Sequence, residues 1–340
     1  MNKFKYYFIL SITTLSLFSC SKNNDTPDIT PPREYAVQYA SDITNIEEYL
    51  NTYYITVTNN PGSPDDQDVV FTKIPDGGSQ PSIMSYKGKA SFPKLLSRDV
   101  KLHDITYKLY YLVLREGVGE KPTNVDGVLT SYRGDYLEET VASSVTTLST
   151  TMFEEVKYPQ QMLSLFTTIR GWKEIFPQFR MGSYTAKDDG TVSYNNFGAG
   201  IMFIPSGLAY FNSVSGIPAY SPLIFSFKLY ALERLDQEYK LVNGVAVADP
   251  DGIKSYLEDL DGDGYMWTTS ELPTNAVNPD DTDGDGIPNF LDVDDDGDGY
   301  GTKIEITNNG VVYPFASIPS CDGNTTNPAR IKKYLDKSCH

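Results

Sequence analysis

The stretch PLIFSFKLYAL, from Pro222 to Leu232, carries the clearest structural pattern in the chain. Large apolar residues occupy every second position, at Leu223, Phe225, Phe227 and Leu229. This period of two predicts a β-strand with one face on a core. TYKLYYLVLR (106–115) and Val125–Tyr132 are further predicted strands, and the 25 Tyr and 16 Phe of the chain also favour strands. We therefore expect a β-rich domain, bounded at residues 104–235.

Short motifs before and after these strands follow one another in a fixed order. They are GVGEKP (117–122), LTSYRG (129–134), TIRGW (168–172), IPSGLAY (204–210), IP (217–218) and PLIF (222–225). In order and spacing they resemble the FKBP-type peptidyl-prolyl cis-trans isomerases, and the whole chain resembles the bacterial lipoproteins of that family. The resemblance implies an α+β fold, in which an antiparallel sheet wraps round one short helix at about 171–179.

The resemblance also implies roles for the matching residues, which would form a pocket for a substrate proline. Trp172 is expected to form the apolar floor of that pocket. Tyr210 is expected to offer its phenolic hydroxyl to a carbonyl oxygen, and the backbone N–H of Ile169 is expected to be a second donor. The walls are expected to come from four side chains, Tyr132, Ile169, Ile217 and Phe225.

A pocket of this kind needs neither a nucleophile nor a cofactor for catalysis. The barrier to rotation about an X–Pro amide is about 18–20 kcal/mol, because resonance gives the C–N bond double-bond character. A twisted amide has lost that resonance and is less polar, so a dry aromatic pocket favours it over the planar amide. The implied partners are proline-containing peptides and exported client proteins.

The chain departs from the family pattern at several positions. Where the family has Phe-Asp-Ser-Ser, this chain has Val141-Ala-Ser-Ser144. The aromatic wall is therefore expected to become Val141, and the pocket carboxylate is expected to be lost at Ala142. An insertion between Gly182 and Ile201 is expected to form a hairpin that can cover the pocket. These departures leave a second interpretation open, a catalytically weak or inactive FKBP-like module that binds peptides or a protein partner.

Negative charge is concentrated in one segment. The net charge of the chain is −17, which argues against a nucleic-acid partner because phosphates are bound by Lys and Arg. From Asp249 to Glu305 there are 17 acidic and 2 basic residues, a local net charge of −15. The remainder of the chain is close to neutral.

The spacing D-x-D-x-D-G appears three times in this acidic segment. Ca²⁺ binds about six to eight oxygens, here from side chains at positions 1, 3 and 5, the carbonyl at position 7 and an acid at position 12. Two frames are complete, and their expected ligands are Asp281, Asp283, Asp285, Ile287, Asn289 and Asp292, and Asp294, Asp296, Asp298, Tyr300 and Glu305. The third frame, Asp259, Asp261 and Asp263, has its acid, Glu271, at position 13.

The sequence therefore predicts two structural Ca²⁺ ions, with a third left open by the displaced acid of the last frame. The flanks lack the paired helices of EF-hands, and the frames resemble thrombospondin type-3 or dockerin-like repeats. The alternative is a solvated acidic linker, which is the usual state of a run of like charges.

The N-terminal residues have the pattern of an export signal. Lys3 and Lys5 precede an apolar run, Tyr6–Phe18, that is too short to cross a bilayer. Cys20 then follows LFS, which resembles the lipobox of bacterial lipoproteins, although an ordinary signal peptide that contains a Cys is the alternative. We expect a lipid on Cys20 to anchor the chain in the bacterial cell envelope. The resemblance implies the outer membrane.

Five parts are expected along the chain. They are a signal peptide (1–19), a tether (20–33), an N-terminal extension (34–103), the FKBP-like domain (104–235) and an acidic calcium-loop region (236–340). The extension is expected to contain an amphipathic helix over Asp42–Tyr54. The last part is expected to end in a Cys321–Cys339 disulfide, because two thiols near the end of an exported chain most simply pair. Two reduced thiols are the alternative.

Overall fold

The computed structural model describes residues 31–142, 145–188 and 190–339. The expected signal peptide, the lipidated Cys20 and most of the tether lie outside these described residues. The chain from Tyr35 to His340 forms one compact unit. Of the helices in the described ranges, none combines the length and the apolar character needed to cross a membrane.

The described residues contain fifteen strands. In chain order they are β1 (Tyr53–Val57), β2 (Val69–Lys73), β3 (Lys94–Leu102), β4 (Ile105–Arg115), β5 (Gly127–Ala142), β6 (Val145–Val156), β7 (Leu163–Ser164), β8 (Ser183–Ala186), β9 (Val192–Asn195), β10 (Gly198–Ile204), β11 (Leu223–Glu233), β12 (Tyr239–Val242), β13 (Val245–Ala248), β14 (Thr307–Asn308) and β15 (Val311–Val312). Seven of them form one antiparallel sheet in the order β3-β4-β10-β11-β5-β6, with β7 paired to β5. The others form two-stranded sheets, β1-β2, β8-β9, β12-β13 and β14-β15.

Helices are few and mostly short. The α-helices of the described residues are α1 (Tyr35–Thr52), α2 (Arg170–Ile175) and α3 (Thr302–Glu305). Single turns of 3-10 helix lie at Ile83–Tyr86, Leu165–Thr167, Phe176–Gln178, Ser206–Leu208, Ser255–Leu257, Thr269–Glu271, Asn289–Leu291, Phe315–Ser317 and Lys333–Leu335. The fold is thus a mixed α/β fold built on a curled antiparallel sheet, as the α+β prediction requires.

Both faces of the main sheet are buried. The four apolar residues predicted from the alternation in β11 lie in the core that contains α2, whereas Ile224 and Tyr230 of the same strand lie in a second core. β4 alternates in the same way, with Leu109 in the first core and Leu112 in the second. Successive side chains of a strand point to opposite faces, so a strand between two cores reads as a continuous apolar run, as TYKLYYLVLR does.

The short helix expected inside the sheet is α2. It covers residues 170–175 and continues as the 3-10 turn at 176–178, close to the expected 171–179. A Cβ atom on Gly171 would lie 2.6 Å from the side chain of Ile204 in β10. The glycine therefore allows the backbone of α2 to pack directly on the sheet and brings Trp172 to its concave face.

The N-terminal extension covers the opposite face of the sheet. Its helix, α1, begins seven residues earlier than the expected Asp42 and ends at Thr52, and Tyr53 and Tyr54 begin β1. Our prediction was wrong at both ends because the buried face of α1 includes two polar residues, Gln38 and Asp42, which hide its period. β3 belongs to the main sheet, so the expected boundary between 103 and 104 runs through that sheet.

The acidic region after β11 is mostly turns and has two small cores. One contains Met266, Phe290 and Leu291 together with Val125 of the sheet domain. The other contains Ile253, Ile306, Ile318 and Tyr334. A disulfide bond joins Cys321 and Cys339, whose Cα atoms are 5.5 Å apart.

Candidate functional site

A cavity of about 300 Å³ opens on the concave side of the sheet, at the start of α2. Its walls come from β5, β6, β7, β11 and the segments that precede α2 and follow β10, and its lining residues are Tyr132, Glu154, Leu163, Ser164, Thr167, Thr168, Ile169, Trp172, Tyr210 and Phe225. Five of the six residues predicted for the proline pocket are among them. The sixth, Ile217, is buried in the same core but does not line the cavity.

Edge-to-face aromatic contacts set the shape of this cavity. The indole ring of Trp172 meets Tyr132 at 5.0 Å and Phe225 at 5.2 Å between ring centroids, nearly perpendicular in both cases. Such pairs are worth about 0.5–1.5 kcal/mol beyond the area they bury. The indole is almost fully buried, so it forms a rigid floor, whereas Tyr210 at the rim is 43% exposed.

Phe153 of β6 packs against the wall residue Phe225 without lining the cavity itself, and the sequence interpretation did not include it. Its ring meets that of Phe225 edge to face at 5.6 Å. A Cβ atom on Gly134 would lie 2.5 Å from the Phe153 ring and 2.8 Å from the Phe225 ring. Glycine at this position of LTSYRG therefore leaves room for the aromatic pair.

The expectation that Val141 forms this wall was wrong. Val141 is 67% exposed and lies near the tip of the long β5-β6 hairpin, paired with Thr146. The hairpin is long, so the end of β5 projects away from the cavity, while β6 brings Glu154 to the cavity and Phe153 to the back of Phe225. Of the VASS segment, Ser143 and Ser144 lie outside the described residues.

Glu154 supplies the carboxylate that Ala142 was expected to remove. Burial, the charge of Glu154 and a hydrogen bond to it raise the pKa of Tyr132 to about 12. Burial, followed by the charge of Glu154, also raises the pKa of Tyr210. Both phenols are therefore protonated at neutral pH, and the pocket keeps O–H donors beside one carboxylate.

Two N–H groups near the floor have no hydrogen-bond partner within the described ranges. The backbone of Ile169 is extended at the start of α2, and its N–H makes no hydrogen bond to the described part of the chain. The indole Nε1 of Trp172 is buried and also has no hydrogen-bond partner within those ranges. The cavity thus combines an aromatic floor with the unpaired N–H of Ile169 and the Tyr210 hydroxyl.

The segment that carries Tyr210 is fixed from behind by α1. The carboxylate Oδ2 of Asp42 accepts hydrogen bonds from the backbone N–H of Ser206 at 2.7 Å and from its hydroxyl at 2.6 Å. Both residues are buried. The N-terminal extension therefore holds one wall of the pocket, which the sequence patterns did not indicate.

The expected hairpin in the insertion exists, as β8 and β9, but it lies elsewhere. It borders a different cavity of about 490 Å³, where its Tyr194 stacks on Tyr230 of β11 at 4.7 Å. Its residues do not line the cavity floored by Trp172. Our expectation that it can cover the proline pocket was therefore wrong.

The three acidic frames fold into loops of the same design. In each loop the three Asp side chains at positions 1, 3 and 5 bring carboxylate oxygens within 4.8 Å of one another. The Asp at position 1 accepts a hydrogen bond from the N–H of the Gly at position 6, at 2.9 Å for Gly264 and 3.0 Å for Gly286 and Gly299. These glycines have φ between 83° and 99°, a conformation that glycine adopts without strain.

The acids at position 12 lie beside their loops. Burial, followed by the charges of Asp285 and Asp283, raises the pKa of Asp292 to about 6. Burial, followed by the charges of Asp296 and Asp298, raises the pKa of Glu305 to about 8. Clustered carboxylates are the ligands that Ca²⁺ prefers.

The side chains of the other predicted ligands, Asn289, Ile287 and Tyr300, do not belong to these carboxylate clusters. Asn289 is buried and bonds Thr282 through both amide atoms. Ile287 and Tyr300 were expected to use backbone carbonyls, and their own N–H groups donate to Asp285 and Asp298.

The first loop has a different fourth acid from the one considered in the sequence. Glu271 faces α2 and pairs with Arg170 at 2.9 Å and Lys173 at 3.1 Å. Asp280 lies by the loop instead and accepts hydrogen bonds from Leu260 and Trp267. Burial, and then the charges of Asp259 and Asp261, raise the pKa of Asp280 to about 6.

Comparison with known proteins adds several similarities. Residues 248–328, which include all three loops, match the family model described as BamM C-terminal. A comparison with curated proteins finds no match. Among solved structures, the chain resembles a peptidyl-prolyl cis-trans isomerase from Pseudomonas syringae pv. tomato, with 15% identity and a TM-score of 0.31 over 60% of this chain and 98% of that chain. It also resembles FkpA from Escherichia coli, with 26% identity and a TM-score of 0.27 over 37% of this chain and 48% of that chain.

Both TM-scores are low, so proposals for this chain rest on its own residues and motifs.

Proposed function

We propose that the chain is a peptidyl-prolyl cis-trans isomerase that acts on Xaa-Pro bonds of exported proteins. The observation that carries this proposal is the cavity floored by Trp172, with Tyr132 and Phe225 set edge to face around it. A proline ring is small and apolar and fits such a floor. The order of motifs from GVGEKP to PLIF supports the same activity by resemblance to the FKBP-type isomerases.

Catalysis in this site would come from the environment of the amide. The proline ring would rest on Trp172, while the carbonyl of the preceding residue would rotate near the Ile169 N–H and the Tyr210 hydroxyl. These donors and the apolar walls would favour the twisted amide over the planar one. No covalent bond of the substrate is broken or formed, so the proposed reaction uses no cofactor.

The test is the cis-trans exchange rate of an Xaa-Pro peptide, measured by NMR with the purified chain. We expect catalysis by the wild type, and a loss of about tenfold in Tyr210→Phe, since a hydrogen bond is worth about 1–1.5 kcal/mol. Tyr184→Phe is the matched control, because Tyr184 is exposed on β8 and should leave the rate unchanged. A wild-type rate equal to the uncatalysed rate would reject the isomerase proposal.

The second candidate is a binding module that holds peptides or a protein partner without useful catalysis. It is favoured by the VASS segment at 141–144 and by the BamM C-terminal match over 248–328. Binding can be followed by Trp172 fluorescence in a Trp267→Phe background, which leaves one indole. A proline peptide that changes this fluorescence while exchange stays uncatalysed would select the second candidate.

We also propose that Ca²⁺ stiffens the acidic region and that the lipid on Cys20 holds the chain on a membrane. The loop geometry supports two ions at the complete frames, and Asp280 supports a third at the first loop. The BamM C-terminal match supports a bacterial outer-membrane context. The likeness to thrombospondin type-3 repeats remains part of this proposal.

The anchor is tested by metabolic labelling with a fatty acid. Label is expected on the wild type and not on Cys20→Ser, and an unlabelled wild type would contradict it.

A further inference from the structure

Five acidic side chains lie close together at positions that no D-x-D-x-D-G frame uses as ligands. They come from three separate parts of the chain, Asp236 and Glu238 after β11, Asp251 and Glu258 around the turn that follows β13, and Asp295. Glu258 is 1% exposed and Asp295 is 2% exposed. Burying a carboxylate without a partner costs free energy. A group of five acidic side chains in one place, several of them fully buried, therefore requires an explanation.

Most of the oxygens in this group have no protein partner. Both carboxylate oxygens of Glu258 and both of Asp295 are buried and accept no hydrogen bond from the described residues. Three more oxygens are in the same state, Asp236 Oδ1, Glu238 Oε1 and Asp251 Oδ2. About six to eight oxygens is also the number that surrounds a Ca²⁺ ion.

Backbone N–H groups hold three of these carboxylates in place. Gly252 donates to Asp236 Oδ2 at 3.2 Å, Asp251 donates to Glu238 Oε2 at 3.1 Å, and Ile253 donates to Asp251 Oδ1 at 2.6 Å. Each carboxylate therefore has one oxygen bound to the backbone and the other one left over. Ligand atoms from the three residues lie within 4.8 Å of one another, and oxygens on opposite sides of a Ca²⁺ ion are about 5 Å apart.

Glu258 and Asp295 lie next to this group. The carboxylate of Glu258 interacts with the charges of Asp295, Glu238, Asp251 and Asp236, and the carboxylate of Asp295 interacts with the charge of Asp251. The positive charge of Lys303 acts on Asp251. Lys303 is exposed, however, and its ammonium group donates a hydrogen bond to the carbonyl of Pro250. Among the residues that the structure describes, no buried Lys or Arg lies against this group to balance its charge.

We propose that Asp236, Glu238 and Asp251 bind a buried divalent cation, with Glu258 and Asp295 supplying further oxygens. The all-oxygen donor set with several carboxylates suits Ca²⁺, since Mg²⁺ keeps most of its waters. The ion joins the segment that leaves β11 to the small core of Ile253 and Tyr334. The proposed ion therefore links the sheet domain to the acidic region, at a site separate from the three D-x-D-x-D-G loops.

The first test removes the loop sites and asks what remains. In a chain with Asp261→Asn, Asp283→Asn and Asp296→Asn, native mass spectrometry after chelation and reloading with CaCl₂ should still show at least one Ca²⁺ per chain. Adding Glu238→Gln and Asp251→Asn should remove it. Adding Asp249→Asn instead is the matched control, because Asp249 pairs with Lys240 at 3.0 Å outside the group, and it should leave the ion bound.

A folded triple variant that binds no Ca²⁺ would overturn the proposal, and so would an ion count that the double substitution leaves unchanged. A second measurement does not depend on any variant folding. A crystal structure of the wild-type chain grown with CaCl₂ should show anomalous density between Asp236, Glu238 and Asp251. If the loops hold ions in that crystal and this position holds none, the proposal is rejected, and the buried carboxylates share protons instead of a cation.

Discussion

Among single residues, Glu154 gives the pocket a chemistry that its own motifs did not indicate. It lines the cavity together with Tyr132 and Tyr210. Burial is the largest cause of the raised pKa of both phenols, and the charge of Glu154 raises it further. A carboxylate at this place accepts a hydrogen bond from Tyr132. It thereby orients one wall of the pocket without being part of the floor.

Glu154→Gln should lower the pKa of Tyr132 below its value of about 12. The substitution keeps the size of the side chain and removes the negative charge that opposes the phenolate. The pKa should remain above its ordinary value, because burial is the larger cause. NMR titration of the Tyr132 ring measures this change.

Glu155→Gln is the control for that titration, because Glu155 is the next residue of β6 and does not line the cavity. An unchanged Tyr132 pKa in Glu154→Gln, or an equal fall in both variants, would contradict the role assigned to Glu154.

Among the secondary-structure elements, α1 supports the pocket although it lies on the other side of the sheet. Asp42 is the contact, since its carboxylate accepts two hydrogen bonds from Ser206. Ser206 begins the turn that leads to Tyr210. The position of a candidate catalytic hydroxyl thus depends on a helix more than 150 residues away in the chain.

Asp42→Ala should destabilise the chain by about 2–3 kcal/mol, because it leaves a buried N–H and hydroxyl unpaired. It should also speed amide hydrogen exchange at Ser206. Urea unfolding and hydrogen exchange by mass spectrometry measure the two effects. Glu48→Ala, on the exposed side of α1, should change neither, and equal exchange at Ser206 in all three proteins would show that α1 does not fix this turn.

The helix α2 is joined to the acidic region by a buried ion cluster. Arg170 pairs with Glu174 at 2.8 Å and Glu271 at 2.9 Å, and its guanidinium lies over the rings of Tyr265 and Trp267. Arg170 is the residue between Ile169 and Gly171 of the pocket motif. The first acidic loop is therefore packed directly behind the pocket helix.

Glu271→Gln should reduce stability by about 2 kcal/mol at neutral pH, the scale of a hydrogen bond to a charged group. Burial raises the pKa of Glu271, but the charges of Lys173 and Arg170 outweigh it and hold that pKa below its ordinary value of 4.5. The folded state therefore binds this proton less readily than the unfolded state. The stabilisation is present above pH 4.5 and is lost as the pH falls below it.

Urea unfolding at several pH values checks this prediction. The difference between wild type and Glu271→Gln should shrink on acidification. Glu116→Gln is the control, since the Glu116–Arg180 pair is exposed and 3.8 Å apart, and exposed pairs contribute about 0–1 kcal/mol. A difference that does not change with pH would contradict the assigned ion cluster.

At the scale of the whole molecule, the chain from Tyr35 onward is a two-sided sheet continued by an acidic region. The acidic region has little regular structure and two small cores. Its local charge of −15 favours an open state unless cations balance it. Its order should therefore depend on Ca²⁺ more than that of the sheet does.

Removing Ca²⁺ with EDTA should increase protease sensitivity within residues 249–320 and leave the main sheet protected. Limited proteolysis with mass-spectrometric mapping of the cut sites measures this. Restoring Ca²⁺ should restore protection, whereas the same concentration of Mg²⁺ should restore less. Equal sensitivity with and without Ca²⁺ would contradict a calcium-stiffened region.

The sequence by itself determined three strands of the main sheet, β4, β11 and the first part of β5, and the design of the three acidic loops. These features are written in neighbouring residues, through the period of two in PLIFSFKLYAL and the D-x-D-x-D-G spacing, whereas the aromatic floor was implied by the resemblance that TIRGW carries. In a strand, the alternation of residues determines which face each side chain occupies. A tight turn requires glycine at one position. A local pattern is therefore sufficient to predict both features. Five of the six pocket residues that the resemblance implied line one cavity.

Only the tertiary structure decided which distant residues complete those features. Glu154 lines the cavity and Phe153 supports Phe225, in place of the expected Val141 and Ala142, because the length of the β5-β6 hairpin determines which residues return to this place. Asp42 meets Ser206, and Arg170 meets Glu271, across more than 100 residues of chain in each case. The buried carboxylates of the further site likewise come from three segments with no common spacing. Such contacts follow from how the sheet is covered on both faces, and no local period in the sequence encodes that packing.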